Sequence, residues 1–329
     1  MWIFGTPVSW LLVEVLSVVV FLACIVHATK QENPSLKILE LFGFILGAAI
    51  FENIGVNNAH AYYYDVRRWM MIGDVPLQIL VLEAAIWYSA FIFAQRLRVP
   101  LLAIPFVVGL FGSLQDMTID PAAVYDRYPV SDEVAAEVNS THPGALGNGI
   151  LSGQWNWSDP GYTEAFFGIP VYNWSGWMYL MAFYTAWVVV GRALYRKTGY
   201  SWVGFSYPFI AGVLNVVCLA TPVNRLLLFG TFNPSETTML LQILMVTVNY
   251  SVAIILLAVS RKNWSPINLP TDGGIVFGLP LLLHLFDIIY VFSAQTEGAY
   301  APVLLVSIIH GAFLISIFVW SRSKKDIYS

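Results

Sequence analysis

The sequence predicts an all-α, polytopic transmembrane helix bundle of about nine spans. Three observations carry this reading. The 329 residues are 58% hydrophobic and only 11% charged, where a soluble domain carries about 25% charged residues. Apolar runs about 20 residues long recur along the chain, the length that a hydrocarbon core of about 30 Å requires. Lysine and arginine also favour alternate links between those runs.

The spans fall at about 8–27, 38–57, 76–95, 99–118, 175–195, 202–222, 237–259, 274–294 and 301–321. The first begins after Pro7 with no basic residue before it. It reads as a retained helix, not a cleaved signal. Short links between most spans imply antiparallel neighbours within a single transmembrane domain, 1–329. The link 119–174 is far longer, and it is rich in Trp, Tyr and Pro. Such composition argues for order, and the segment is expected to fold back over the second and fourth spans. Cys24 and Cys218 lie inside apolar runs and read as reduced core residues.

Orientation follows from the cations. With the C-terminus in the cytoplasm, Lys30, Lys37, Arg96, Arg98, Arg192, Arg196, Lys197, Arg261, Lys262, Arg322, Lys324 and Lys325 share that side. Arg67, Arg68, Arg127 and Arg225 face the other way. Twelve of the 16 cations on one side place the N-terminus and the long loop on the non-cytoplasmic side.

Charged groups at membrane depth are costly and mark functional sites by default. Glu52 lies near the outer end of the second span, and Glu83 lies inside the third. Asp287 lies in the outer half of the eighth, one turn from His284. Glu14 and Glu40 occupy the first and second spans. The fourth span ends in "LQDMTIDP", where Pro121 reads as the stop. Asp116 and Asp120, spaced i, i+4, share one helix face there. At a helix C-terminus the macrodipole and the twin carboxylate both oppose charge. One of the two is therefore expected to hold a proton, with Asp116 the deeper acid and Asp120 its partner. Arg225, Arg67 or Arg68 would fix which one stays ionised. Asp116→Asn is expected to abolish any such acid chemistry.

Composition excludes several classes. The net charge of −4 gives no basic nucleic-acid face. No lysine sits deep in a span, which argues against a retinal Schiff base. The five histidines are scattered, so no histidine boxes exist for a metal centre. His284 and His310 read as hydrogen-bonded core residues. There is no phosphate-binding loop and no dinucleotide fingerprint. Neither a metal nor a cofactor is expected.

Four blocks then carry a resemblance. They are "FENIGVNNAHAYYYDVRRWMMIGDVPLQI" (51–79), "LQDMTIDPAAV" (114–124), and "GQWNWSDPGYTEAFFGIPVYNWSGW" (153–177), which holds a Trp-x-Trp block and a Gly-Ile-Pro block. In order and spacing they resemble the integral-membrane carotenoid biosynthesis proteins, a family that includes bisanhydrobacterioruberin hydratase and the γ-carotene 1′-hydratases. The matching positions are Glu52, Gly55, Tyr62, Tyr64, Val75, Pro76, Asp116, Asp120, Pro121, Trp155, Trp157, Gly168, Pro170, Asn173, Gly176 and Trp177. "NNAHA" replaces glycine-rich sequence of that family, and Glu83 stands where an apolar residue or Trp is expected.

The resemblance implies a cofactor-free hydratase acting on a lipophilic polyene or isoprenoid within the bilayer, with neighbouring pathway enzymes as possible partners. Asp116, Asp120 and Glu52 would be catalytic. Tyr62, Tyr64, Trp155, Trp157, Asn173 and Trp177 would bind substrate, and Arg225 and Asp287, charged groups outside the resembling blocks, are substrate-binding candidates by their place toward the same membrane face. Protonating a trisubstituted alkene needs a dry acid, a π-rich wall for the tertiary cation and a placed water. An end-group cyclase would share the protonation step. A transporter or lipid-binding bundle without chemistry is the rival of another class.

Overall fold

The computed structural model describes the chain apart from residues 148, 159–166, 221–235 and 329. Its long helices are α1 (Val8–Thr29), α2 (Pro34–Asn57), α3 (Leu77–Arg96) and α4 (Ile104–Tyr125). After the short α5 (Asp132–Thr141) come α6 (Val171–Thr198), α7 (Ser201–Leu219) and α8 (Glu236–Ser260). A short α9 (Leu269–Gly273) runs through a π-helical turn, Gly274–Gly278, into α10 (Leu279–Ser293), and α11 (Glu297–Tyr328) ends the fold. Eight of the described helical segments are long and apolar enough to cross a membrane. The protein is an all-α, multi-pass integral membrane bundle.

The helices are apolar outward and partly polar inward. On α1, Leu12, Val15, Val19, Leu22 and Val26 are exposed, a 3–4 spacing that forms one stripe. The opposite face buries Trp10, Glu14, Ser17, Phe21, Cys24 and His27. Against lipid, an exposed leucine costs nothing, whereas the polar groups need protein partners. All three have one: Arg68 Nε lies 2.8 Å from Glu14, His27 lies 3.1 Å from Asp272, and Ser17 Oγ donates to the Val13 carbonyl at 2.8 Å.

Helix α3 is the central rod: every residue from Gln78 to Ala94 is buried. Helix α2 lies against α7 at backbone distance. A Cβ at Gly47 would stand 2.8 Å from the Gly212 carbonyl oxygen, and one at Gly43 would stand 2.3 Å from the Pro208 oxygen. Small residues four apart allow this approach between membrane helices.

Helix α4 departs from the expected fourth span in two ways. It begins later and runs through Pro121 to Tyr125. Pro121 has no N–H to give to the Met117 carbonyl, but one missing bond does not end a helix held on several sides. At the extended end, the carbonyl of Ala123, which has no donor left within the helix, accepts from Gln154 N at 3.1 Å, in the returning loop. Asp116 and Asp120 are therefore mid-helix groups, and the dipole argument for a helix end does not apply to them. α4 is not among the eight long apolar helices. It packs against α3, α6, α8, α10 and α11, and a helix shielded from lipid tolerates Gln115, Asp116, Thr118 and Asp120.

Two loops meet at one end of the bundle. The link before α3 carries strand β3 (Tyr62–Tyr64), and the long link after α4 carries β6 (Tyr128–Pro129), α5, β7 (Leu151–Ser152) and β8 (Trp155–Trp157), counted after the terminal β1 (Trp2–Ile3) and β2 (Thr6–Pro7) and the pair β4 (Met71–Ile72) and β5 (Val75–Pro76). The long link thus starts at 126, not 119. β3 pairs antiparallel with β8, with Tyr62 opposite Trp157 and Tyr64 opposite Trp155. α5 is capped by Ser131 Oγ, which accepts from Val134 N at 3.3 Å.

Candidate functional site: a carboxyl-lined apolar cavity

The β3–β8 ladder points alternate side chains the same way. Tyr62, Tyr64, Trp155 and Trp157 are all buried and fall on a cavity of about 120 Å³ between α2, α3, α4, α6 and α7. Ile79 and Leu82 from α3, Leu180 from α6 and Val216 and Leu219 from α7 complete an apolar wall. Its lining includes Ile54, near the end of α2, and Ala220, which follows α7; both are exposed.

Three carboxyl groups line it: Glu52 from α2, Glu83 from α3 and Asp120 from α4. Glu52 Oε2 accepts hydrogen bonds from the Tyr62 and Tyr64 hydroxyls, each at 2.7 Å. Gly55 makes this possible, because a Cβ there would stand 2.3 Å from the Tyr62 hydroxyl. Burial, and then the charge of Glu52, hold both phenols well above the ordinary tyrosine range, so they remain donors. Asn173 Nδ2, at the first turn of α6, donates to Asp116 Oδ2 at 2.8 Å and to Asp120 Oδ2 at 2.5 Å. Among the described residues, Glu83 Oε2 and Asp116 Oδ1 are buried without a hydrogen-bond partner. No lysine or arginine among the described residues lines the cavity.

Of the residues singled out from the sequence, Glu52, Asp120, Tyr62, Tyr64, Trp155, Trp157, Asn173 and Trp177 come together here. Asp116 does not line the cavity; it sits behind the Asn173 amide. Asp287 is elsewhere. It accepts from Thr118 Oγ1 at 2.7 Å, on the face of α4 that also turns Gln115 toward His284 and His310. Those two imidazoles lie 2.9 Å apart and form a buried polar core. Arg225 lies outside the described residues. Arg67 and Arg68 do not reach Asp116 or Asp120. Arg67 pairs with Asp65 at 2.6 Å and Arg68 with Glu14.

Sequence reasoning missed Glu83 as a site residue. Its signal was present, an acidic residue inside the most buried helix. Tyr172 is the other addition, edge-on to Trp157 with ring centroids 5.8 Å apart. Among the described residues no group of three His, Cys, Asp or Glu is placed to hold a metal ion.

Compared with family models, with curated proteins and with solved structures, the chain matches none.

Proposed function

We propose that the protein is a membrane enzyme that hydrates a terminal trisubstituted alkene of a carotenoid or other isoprenoid by carboxylic-acid protonation. One observation carries this reading: Glu52, Glu83 and Asp120 converge in an aromatic, apolar cavity whose lining includes the exposed Ile54 and Ala220. A hydrophobic chain can enter there from lipid, and the cavity fits its end group, not its whole length.

The hydrogen bonds divide the roles. Uncompensated charges are not sustained together in such a cavity, so the cluster holds protons. Donors aimed at an oxygen favour its ionised form. Glu52, bound by two phenols, is the carboxylate. Glu83, with an unpartnered oxygen, carries the proton.

Glu83 O–H gives its proton to the less substituted alkene carbon. The π pair becomes the new C–H bond, and the neighbouring carbon becomes a tertiary cation. Trp155, Trp157, Trp177 and Tyr62 offer π faces to that charge. Water beside Glu52 adds through oxygen and passes its extra proton to the Glu52 carboxylate. Proton return from Glu52 to Glu83 closes the cycle without a cofactor. Asp120 and Asp116, bridged by Asn173, hold the neighbouring wall of the site.

Expression in a lycopene-producing host, with pigment analysis by mass, tests this. A pigment heavier by one water is the expected product. An isomeric product would mean that the cation closes on the substrate itself, as in an end-group cyclase. An unchanged pigment profile together with specific polyene binding would point to a carrier without chemistry.

A further inference from the structure

At the other end of the bundle lies a second, wider hollow of about 640 Å³. It is walled by the ends of α1, α2, α3, α6 and α7, with Pro270 and Thr271 of α9. Lys37 on α2 and Glu52 in the first cavity are 15 residues apart, about 22 Å along the helix. The two sites are separate, and this one does not depend on the hydratase reading.

Its chemistry is the opposite of the first. Five cations line it, Lys30, Lys37, Arg96, Arg192 and Arg196, against two carboxylates, Glu32 and Glu40, in a chain whose net charge is −4. Two of the cations are engaged. Arg192 grips Glu40 through Nε and a terminal nitrogen, both at 2.5 Å. Arg96 Nε lies 3.0 Å from Asp272. Lys30, Lys37 and Arg196 make no ion pair among the described residues.

Lys37 is the informative one. It is half-buried, with its ammonium over the Phe91 ring at 5.8 Å. A partly desolvated cation with no carboxylate partner is costly unless an anion joins it. Helix α2 also opens beside it without a side-chain cap and without an acidic residue in its first turn, so its positive end adds to the same potential. Three unpaired cations around one hollow suit a multiply charged anion better than a single carboxylate. Leu36, Ile92 and Tyr195 give the hollow an apolar side.

We propose that this hollow binds a phosphate-bearing anion, with Lys37 as the central contact and Lys30 and Arg196 at the rim. The phosphate can belong to a lipid headgroup or to a soluble molecule; basic pockets between membrane helices take anionic headgroups in this way.

The test uses the full chain in nanodiscs of phosphatidylcholine. One arm adds phosphatidic acid to the disc and counts bound lipid by native mass spectrometry. The other titrates inorganic pyrophosphate by calorimetry. Saturable binding in either arm, weakened about tenfold or more by Lys37→Gln and unchanged by Lys262→Gln, is the expected result. Lys262 is an exposed cation of the short turn Arg261–Asn263 after α8 and does not line the hollow. The arm that binds identifies the source of the phosphate. If Lys37→Gln fails to fold, the double variant Lys30→Gln with Arg196→Gln takes its place, since both residues are exposed. No saturable binding in either arm, or equal weakening by Lys262→Gln, overturns the proposal and leaves diffuse surface charge as the explanation.

Discussion

Glu83 and Asp287 are both buried acids at membrane depth, yet their surroundings differ in a way that predicts different consequences. Asp287 is satisfied by the Thr118 hydroxyl; Glu83 faces the cavity with an unpartnered oxygen. Glu83→Gln keeps the shape and removes the transferable proton. It is expected to lower product yield per folded protein by about 10²–10⁴-fold, the usual worth of a general acid. Glu52→Gln should fall in the same range, and Asp120→Asn should fall less. Asp287→Asn should stay near wild type. Equal yields from all four, measured in the pigment host, would make the carboxyl groups structural. A second residue separates binding from folding. A Cβ at Gly176 would meet nothing within 4 Å, although Gly176 lines the cavity. Gly176→Leu therefore fills the cavity while removing a helix-interior glycine that costs about 1 kcal/mol. The expected outcome is an unfolding temperature in detergent that does not fall, with product yield lost. A lower unfolding temperature would show that this space is not free.

At the scale of elements, the α2–α7 contact sets the width of the cavity, because Glu52 and Ile54 stand on one helix and Val216 and Leu219 on the other. Gly47 holds the two backbones together. Gly47→Leu is expected to force them apart, costing about 1–3 kcal/mol in the manner of an overpacked core and reducing yield as well. Thermal unfolding and pigment yield together check this; a variant with unchanged values in both would mean that the helices repack without loss. Most helices were legible from hydropathy alone, since lipid demands a long apolar run whatever the tertiary partners. The expected 8–27 became Val8–Thr29, and 76–95 became Leu77–Arg96. Two elements were not legible, for one reason. The continuation of α4 past Pro121 and the β3–β8 ladder both depend on residues far away in sequence, Gln154 for the first and some ninety positions of separation for the second. Local periodicity carries no record of such partners. The candidate site divides the same way. Glu52, Tyr62, Tyr64, Trp155, Trp157, Asn173 and Asp120 were visible as motif residues. The exchange of Asp116 for Glu83 on the cavity wall was not, because it depends on how α3 and α4 are rotated against each other.

At the scale of the whole molecule, the ends of the helices sort into two unlike surfaces. One end gathers the loop before α3, the loop after α4 and the N-terminal strands, with Trp2 edge-on to Tyr128 at 5.4 Å and Ser9 donating to Asp126 at 2.6 Å. Its cations Arg67 and Arg68 are paired with Asp65 and Glu14, which leaves Arg127, bonded to the Val124 carbonyl, as the described arginine there without an ion pair. The other end gathers Lys30, Lys37, Arg96, Arg192 and Arg196 around one hollow. The N-terminus lies at the first end and Arg322 and Lys324 lie toward the second, which needs an odd number of crossings; the eight long apolar helices give that number only if α4 crosses as well. Unpaired cations near short links resist transfer across a membrane, which is the physical content of the positive-inside rule. The cation-rich end is therefore expected in the cytoplasm, with the carboxyl-lined cavity toward the opposite face. Reporter fusions after Leu151, in the loop that carries β7, and after Lys325, near the C-terminus, should report opposite sides, with the second cytoplasmic. Agreement between the two would require an even number of crossings between them, so that one of α6, α7, α8, α10 and α11 would not span the bilayer.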